Sequence, residues 1–230
     1  MRLVPVILGL FLLLSACGAS AQLPEGKSVV GVVFNDANHN GVRDLDEKGI
    51  AGVRVSNGID VVKTDKNGHY ELPLSDTGFV FVIKPRGWMT PVDEDNLPVF
   101  YYRIGRHTPT APDFPLHPQK EPDQFKIILT SDTQVTSTED VNFLAHDIAE
   151  ELIGTDAVFG VTLGDIVFDK PHLFEPLAKV MGTIGIPWYY VQGNHDQGEP
   201  TFESVFGPAY YAFDYGPVHF IVLDSQSDEQ

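Results

Sequence analysis

The stretch Trp188-Tyr189-Tyr190-Val191-Gln192-Gly193-Asn194-His195-Asp196 sets an apolar, β-rich run directly against a polar turn. The run from Ile186 to Val191 reads as a buried strand, and Gly-Asn-His-Asp as the loop at its C-terminal end. Ligands of open α/β sheets collect at such strand ends. Gly193 lets the backbone turn without a side chain in the way. Asn194 offers a neutral oxygen, His195 a nitrogen acid or base, and Asp196 a carboxylate that can orient the imidazole.

Two earlier stretches repeat this design. Phe125 to Thr130 is an apolar strand pattern that ends in Ser131-Asp132-Thr133-Gln134, and Ala157 to Leu163 is another that ends in Gly164-Asp165. The segments between them read as helices. One starts at a Ser137 or Thr138 cap and runs to about Ile153, with Val141, Leu144, Ala145, Ile148 and Leu152 on its apolar face. The other spans Lys170 to Met181, with Pro171 in its first turn. Strand, helix, strand, helix, strand implies a parallel sheet with right-handed crossovers. Three strands then carry ligand-type residues to one rim. Tyr210–Asp214 and Val218–Leu223 follow as a hairpin.

On these three motifs the chain resembles the calcineurin-like metallophosphoesterase superfamily. That family's Asp-x-His, Gly-Asp and Gly-Asn-His-Asp/Glu correspond to Asp132-Thr133-Gln134, Gly164-Asp165 and Gly193-Asn194-His195-Asp196. The resemblance runs from Phe125 onward. Gln134 stands where most members have His, and is read as a variant ligand whose amide oxygen is a harder, weaker donor than imidazole. The resemblance implies the first part of an α/β/β/α sandwich, a phosphoester substrate, and two divalent transition metals (Mn, Fe or Zn). It implies that Asp165 bridges the two cations, that Asp132 and Gln134 serve the first, and that Asn194 serves the second. His195 would then protonate the leaving oxygen, with Asp196 holding its ring. Asp169, four residues after Asp165, reads as a support for this site or as a helix N-cap. The family completes its site with a later lone His and a Gly-His-x-His. Neither follows His195, and His219 lies inside a strand pattern. The chain is therefore expected to be the front part of a longer phosphoesterase.

Composition bounds the alternatives. The 230 residues carry 15 basic and 32 acidic side chains, a net charge of -17. Such a surface excludes nonspecific nucleic-acid binding through a basic face. The single cysteine, Cys17, leaves no partner for an intrachain disulfide. It ends an apolar run from Leu3 to Ala16 that follows Arg2 and is too short to span a bilayer comfortably. Leu14-Ser15-Ala16-Cys17 resembles a bacterial lipobox. Cleavage there would leave a lipid-modified Cys17 anchoring an exported protein to a membrane, with Gly18 favouring the outer one; the other reading is an ordinary signal peptide. Residues 18–27 read as a tether.

The next segment holds a second chemistry. After the strand Val29–Phe34 comes Asn35-Asp36-Ala37-Asn38-His39-Asn40-Gly41-Val42-Arg43-Asp44-Leu45-Asp46-Glu47. Asp36, Asn38 and Asn40 occupy positions 1, 3 and 5 of the twelve-residue calcium loop, with Gly41 at 6. The Val42 carbonyl stands at 7, Asp44 at 9 and the bidentate Glu47 at 12. Calcium takes six to eight hard oxygens, which this set supplies. Short alternating strands surround the loop: Ile50–Val55, Val61–Thr64, His69–Leu72 and Phe79–Lys84. They predict a β-sandwich over 28–117. Gly31 to Leu72 resembles the calcium-bound B-type repeats of bacterial surface adhesins and prealbumin-like modules, which implies a structural calcium. Asp65 and Asn67 read as added ligands or as a plain hairpin turn. Arg103, Arg106 and His107 read as phosphate-binding or as packing and solvated charge. Residues 118–124 are expected to be a linker to the phosphoesterase part at 125–230.

Two functions from different classes follow. One is a surface-anchored, two-metal phosphoester hydrolase. The other is a catalytically incomplete calcium-binding module for adhesion or carbohydrate binding.

Overall fold

The computed structural model describes residues 28–104 and 112–225. The leader with Cys17, the tether, Arg106 and His107 lie outside these residues. Among the described residues no helix is long and apolar enough to cross a membrane.

The first half is the expected sandwich of two sheets. One is built from β1 (Ser28–Asn35), β4 (His69–Pro73), β6 (Trp88–Met89) and β8 (Phe114–Pro118), in the order β4-β1-β8-β6. The other is built from β2 (Arg54–Ser56), β3 (Val61–Lys63), β5 (Phe79–Ile83) and β7 (Tyr101–Arg103), in the order β3-β2-β5-β7. All pairings are antiparallel except β1 with β8. The sequence patterns account for the positions. In β4, His-Tyr-Glu-Leu-Pro alternates exposed and buried, as a strand with one wet face must. In β5, Phe-Val-Phe-Val-Ile is buried throughout, because a central strand has neighbours on both faces.

The turn at Asp65–Gly68 differs from a plain hairpin. β3 pairs with β2 and β4 with β1, so the turn carries the chain from one sheet to the other. Asp65 Oδ1 accepts from the Asn67 and His69 amides, a use of the carboxylate that holds its pKa below the usual range.

The second half contains the three expected parallel strands, β9 (Ile128–Thr130), β10 (Gly160–Leu163) and β11 (Trp188–Val191), in the order β11-β10-β9. The first connection is helical over Thr138–Leu144 (α1) and Glu150–Leu152 (α2), joined by a wider turn at Ala145–Ala149. Ser137 is its N-cap, accepting from the Asp140 amide. The second connection enters by a short 3-10 turn at Pro171–Leu173 and continues as α3 (Phe174–Gly182). A short α4 (Phe202–Phe206) precedes the hairpin of β12 (Tyr211–Tyr215) and β13 (Val218–Val222).

The two halves share one core. A single apolar cluster joins Val55, Leu72 and Phe81 of the sandwich to Phe159, Tyr189 and Phe213 of the second half. Lys84 and Phe213 form a parallel bridge, and the Asp214 amide donates to the Lys84 carbonyl at 2.8 Å. The segment read as a linker is therefore not free. β8 runs through Pro118, and Glu121 is buried against both halves.

Candidate metal centre

β9, β10 and β11 end together, and their C-terminal loops interlock. The Asp132 amide donates to the Gly164 carbonyl and the Gln134 amide to the Asp165 carbonyl. Gly164 and Gly193 pack backbone to backbone. A Cβ on Gly193 would lie 2.2 Å from both the amide nitrogen and Oδ1 of Asp165. Only glycine leaves room for the third loop to close onto the second.

Asp165 is the centre of this arrangement. Its Oδ2 accepts from Gln134 Nε2 at 3.1 Å, and its Oδ1 from the His195 amide at 3.2 Å. One carboxylate thus touches both the first and the third motif. Of the six non-glycine residues with positive φ among the described residues, four are Asp132, Gln134, Asp165 and Asp169. Such conformations persist where surrounding structure enforces them, and they cluster at functional sites. A polar network supports the rim from below. Thr162 Oγ1 is 2.9 Å from Thr130 Oγ1 and accepts from Trp188 Nε1 at 2.9 Å, tying the three strands together.

The carboxylate that holds His195 is not the one expected. Asp196 is fully buried, and its oxygens accept from the Val167 and Gly193 amides at 3.0 and 2.8 Å. It braces the second and third loops from inside. Burial pushes its pKa up, against these amide hydrogen bonds. The His195 ring instead meets Asp169, Nδ1 to Oδ1, at 3.1 Å. Phe168 stacks on the same ring at 4.2 Å between centroids. Asp169 does not cap the following turn, whose N-cap is Lys170 and carries no side-chain cap bond. Adjacency in the Gly-Asn-His-Asp motif favoured Asp196, but neighbouring residues at a tight turn point to different sides. The available signal for Phe168 was an exposed aromatic set between buried Val167 and Asp169.

The donors fit hard divalent cations in kind. Asp132 and Asp165 are carboxylates, Gln134 and Asn194 are amides, and Asp132, Asn194 and Asp169 are exposed to a ligand's approach. They do not suffice in number. Among the described residues no group of three or more His, Cys, Asp and Glu stands ready to hold a metal ion. His219, 24 positions after His195, is turned to Asp214 instead.

The calcium-type loop is organised around buried carboxylates. Asp36 is 2% exposed, and its two oxygens accept from the Asn40 and Gly41 amides. Glu47 accepts from the Ala37 and Asp44 amides, closing the loop end to end. Asp44 accepts from both the Asn38 and Asn40 side-chain amides. Every side chain placed in the pattern by sequence faces its neighbours across this loop. The His39 ring sits on His117 of β8 at 4.4 Å.

Residues 37–119 match the family described as the N terminal of calcineurin-like phosphoesterase. That match runs from within the calcium-type loop to just past β8. The strand-end cluster at 132–196 lies outside the matched residues. No curated protein matches the chain. Among solved structures it is similar to a purple acid phosphatase isolated from yellow lupin (Lupinus luteus) seeds. The identity is 12% and the TM-score 0.33, over 79% of this chain and 43% of that one. The chain spans less than half the length of that phosphatase.

Proposed function

We propose that the strand-end cluster is one part of a two-metal phosphoesterase site, carried by an envelope-anchored protein. The observation that carries this reading is the position of Asp165, whose two oxygens address Gln134 and the His195 loop at once. A carboxylate so placed suits a bridge between two cations. Asp132 and Gln134 would serve one cation and Asn194 the other, with further donors from outside the described residues. Bound divalent cations would supply an acidified water and polarise the phosphoryl oxygens. His195 would donate the proton to the leaving oxygen from its Nε2 edge, since Nδ1 faces Asp169. Asp169 and Phe168 would fix the ring plane, while Asp196 would hold the loop.

A calcium ion in the loop from Asp36 to Glu47 would be structural, locking the sandwich edge. The apolar run ending at Cys17 supports export and lipid anchoring. The rival reading, a calcium-binding surface module without turnover, draws on the small number of charged donors in the strand-end cluster. The family match within the sandwich supports the phosphoesterase reading instead.

The test is manganese binding by this chain, followed by electron paramagnetic resonance, together with Mn-dependent hydrolysis of chromogenic phosphomonoesters and diesters by a form carrying the remaining donors. Asp165→Asn should weaken manganese binding at least tenfold and abolish hydrolysis. Near-normal turnover in that variant would remove the bridging role.

A further inference from the structure

A recess of about 210 Å³ lies away from the strand-end cluster, between the 93–101 segment, β11 and α4. Its walls are aromatic and aliphatic, with Tyr190, Phe206, Tyr101 and Leu97 among them and Asp93 at the rim. Tyr190 and Phe206 stack on each other at 4.1 Å and together close one side.

Two features distinguish this recess from ordinary imperfect packing. The Tyr190 side chain is 3% exposed, yet its hydroxyl has no hydrogen-bond partner. A buried hydroxyl without a partner is destabilising, so its retention in a cavity wall points to a group that enters the cavity. Two carboxylates also stand near it. Burial and the carboxylates of Asp95 and Asp93 push the Tyr190 phenol far above its ordinary pKa. Asp93 keeps one carboxylate oxygen on the Asp95 and Leu97 amides, so its charge is fixed at the rim. An apolar cavity of about 150 Å³ is large enough to take benzene, and aromatic walls favour a cation carried on a planar ring.

We propose that this recess binds a small aromatic amine in its ammonium form. The ring lies between the stacked Tyr190–Phe206 pair and the Leu97 and Tyr101 side chains. The ammonium donates to the Tyr190 hydroxyl oxygen and faces Asp93. Its lining includes none of the residues of the strand-end cluster.

The experiment is saturation-transfer NMR on the whole chain with phenethylamine, beside 2-phenylethanol, which lacks the charge, and 2-cyclohexylethylamine, which lacks the aromatic ring. Phenethylamine is expected to bind at least tenfold more tightly than either. Val205→Trp, which fills the recess from α4, should abolish the transfer. Val99→Trp, at the more exposed rim, should do the same and serves if Val205→Trp fails to fold by circular dichroism. Tyr190→Phe should weaken binding about tenfold without lowering the thermal midpoint, because the lost hydroxyl had no partner. No transfer from phenethylamine overturns the proposal. So does equal transfer from all three compounds, or binding that survives in a folded Trp variant.

Discussion

Lys84 Nζ stands 2.7 Å from Glu121 Oε1, with the two side chains only 3% and 1% exposed. The pair sits where the sandwich meets the hairpin of β12 and β13. Lys84 also donates to the Asp214 carbonyl at 2.6 Å, and Glu121 Oε2 accepts from the Gly216 amide at 2.8 Å. Tyr215 presents its ring face to the ammonium at 5.3 Å. Burial pulls the Lys84 pKa down, and the hydrogen bond and charge of Glu121 oppose that shift. Two halves that merely touched would not bury charges this completely. Removing one partner leaves the other charge uncompensated, at a cost of about 3–5 kcal/mol. Glu121→Gln should therefore lower unfolding stability by that amount in urea titration. Unfolding should remain a single transition for both halves. Replacing the pair together, as Lys84→Met with Glu121→Leu, should cost markedly less than either single change. Two separate transitions in the unaltered protein would mean that the shared core does not couple the halves.

Gly193→Ala tests how tightly the motif loops interlock. The added methyl would meet the Asp165 amide nitrogen and Oδ1 at 2.2 Å, a separation no packed carbon tolerates. The partners are backbone and the proposed bridging carboxylate, so relief must displace the site itself. Overpacking of this kind costs about 1–3 kcal/mol. The thermal midpoint should fall and manganese binding should weaken together. Gly185→Ala is the control for stability alone. It lies in an open turn with positive φ and nothing near its Cβ, so it should cost stability without touching the metal.

The sandwich, the three parallel strands and the convergence of their ends were legible in the sequence. Strand periodicity and the residues that stop a strand are local signals, and the apolar runs ending in Asp132, Asp165 and Asn194 carried both. What the sequence hid was which side a turn residue faces. Asp196 follows His195 directly, yet its carboxylate goes inward to the Val167 and Gly193 amides, while Asp169, 26 positions earlier, reaches the imidazole. The linker reading failed for a similar reason. The Pro-rich stretch around Glu121 looks solvated, and only Lys84, 37 positions away, makes its burial affordable. Pairings of this kind depend on tertiary contacts that no local pattern encodes.

Asp169→Asn and Asp196→Asn separate positioning of His195 from bracing of the loop. Asp169 is exposed and contacts the ring directly. Its replacement should lower turnover at saturating substrate, in a form carrying the remaining donors, and leave the thermal midpoint nearly unchanged. Asp196 accepts two backbone amides in a fully buried position. An amide there turns one acceptor into a donor that faces another donor, which costs about 1–3 kcal/mol. Asp196→Asn should lower the thermal midpoint. The reverse pattern would return the ring-holding role to Asp196.

Acid sensitivity should be traceable in part to the loop after Gln134. The Asp140 carboxylate accepts from the Thr136 hydroxyl and amide at 2.7 and 2.8 Å, which hold its pKa below the ordinary 3.8. A depressed carboxylate contributes stability that is present above the unfolded value and is lost as pH falls through the folded one. The contribution should thus be intact at pH 5 and disappear in the acid range below 3.8. Urea midpoints measured from pH 5 downward should fall less steeply in Asp140→Asn than in the unaltered protein. Identical slopes would mean that the contact with Thr136 does not hold in solution.

Calcium should stabilise the sandwich through the loop at its edge. Asp36 is buried and Glu47 spans the loop ends, so without a cation the charges of Asp36, Asp44 and Glu47 are offset only by amide donors. A cation would replace the side-chain amide donors of Asn38 and Asn40 around Asp44 with their carbonyl oxygens, a rotation of each amide group. A ligand at 100 times its dissociation constant adds about 2.7 kcal/mol to the folded state. For a chain of this size that corresponds to roughly 5–10 °C in thermal midpoint. Calorimetry in calcium and then in excess EGTA should show that difference. Glu47→Gln, which removes the bidentate carboxylate, should erase the calcium response. A midpoint indifferent to calcium in the unaltered protein would leave the loop as a hydrogen-bonded turn with no structural cation.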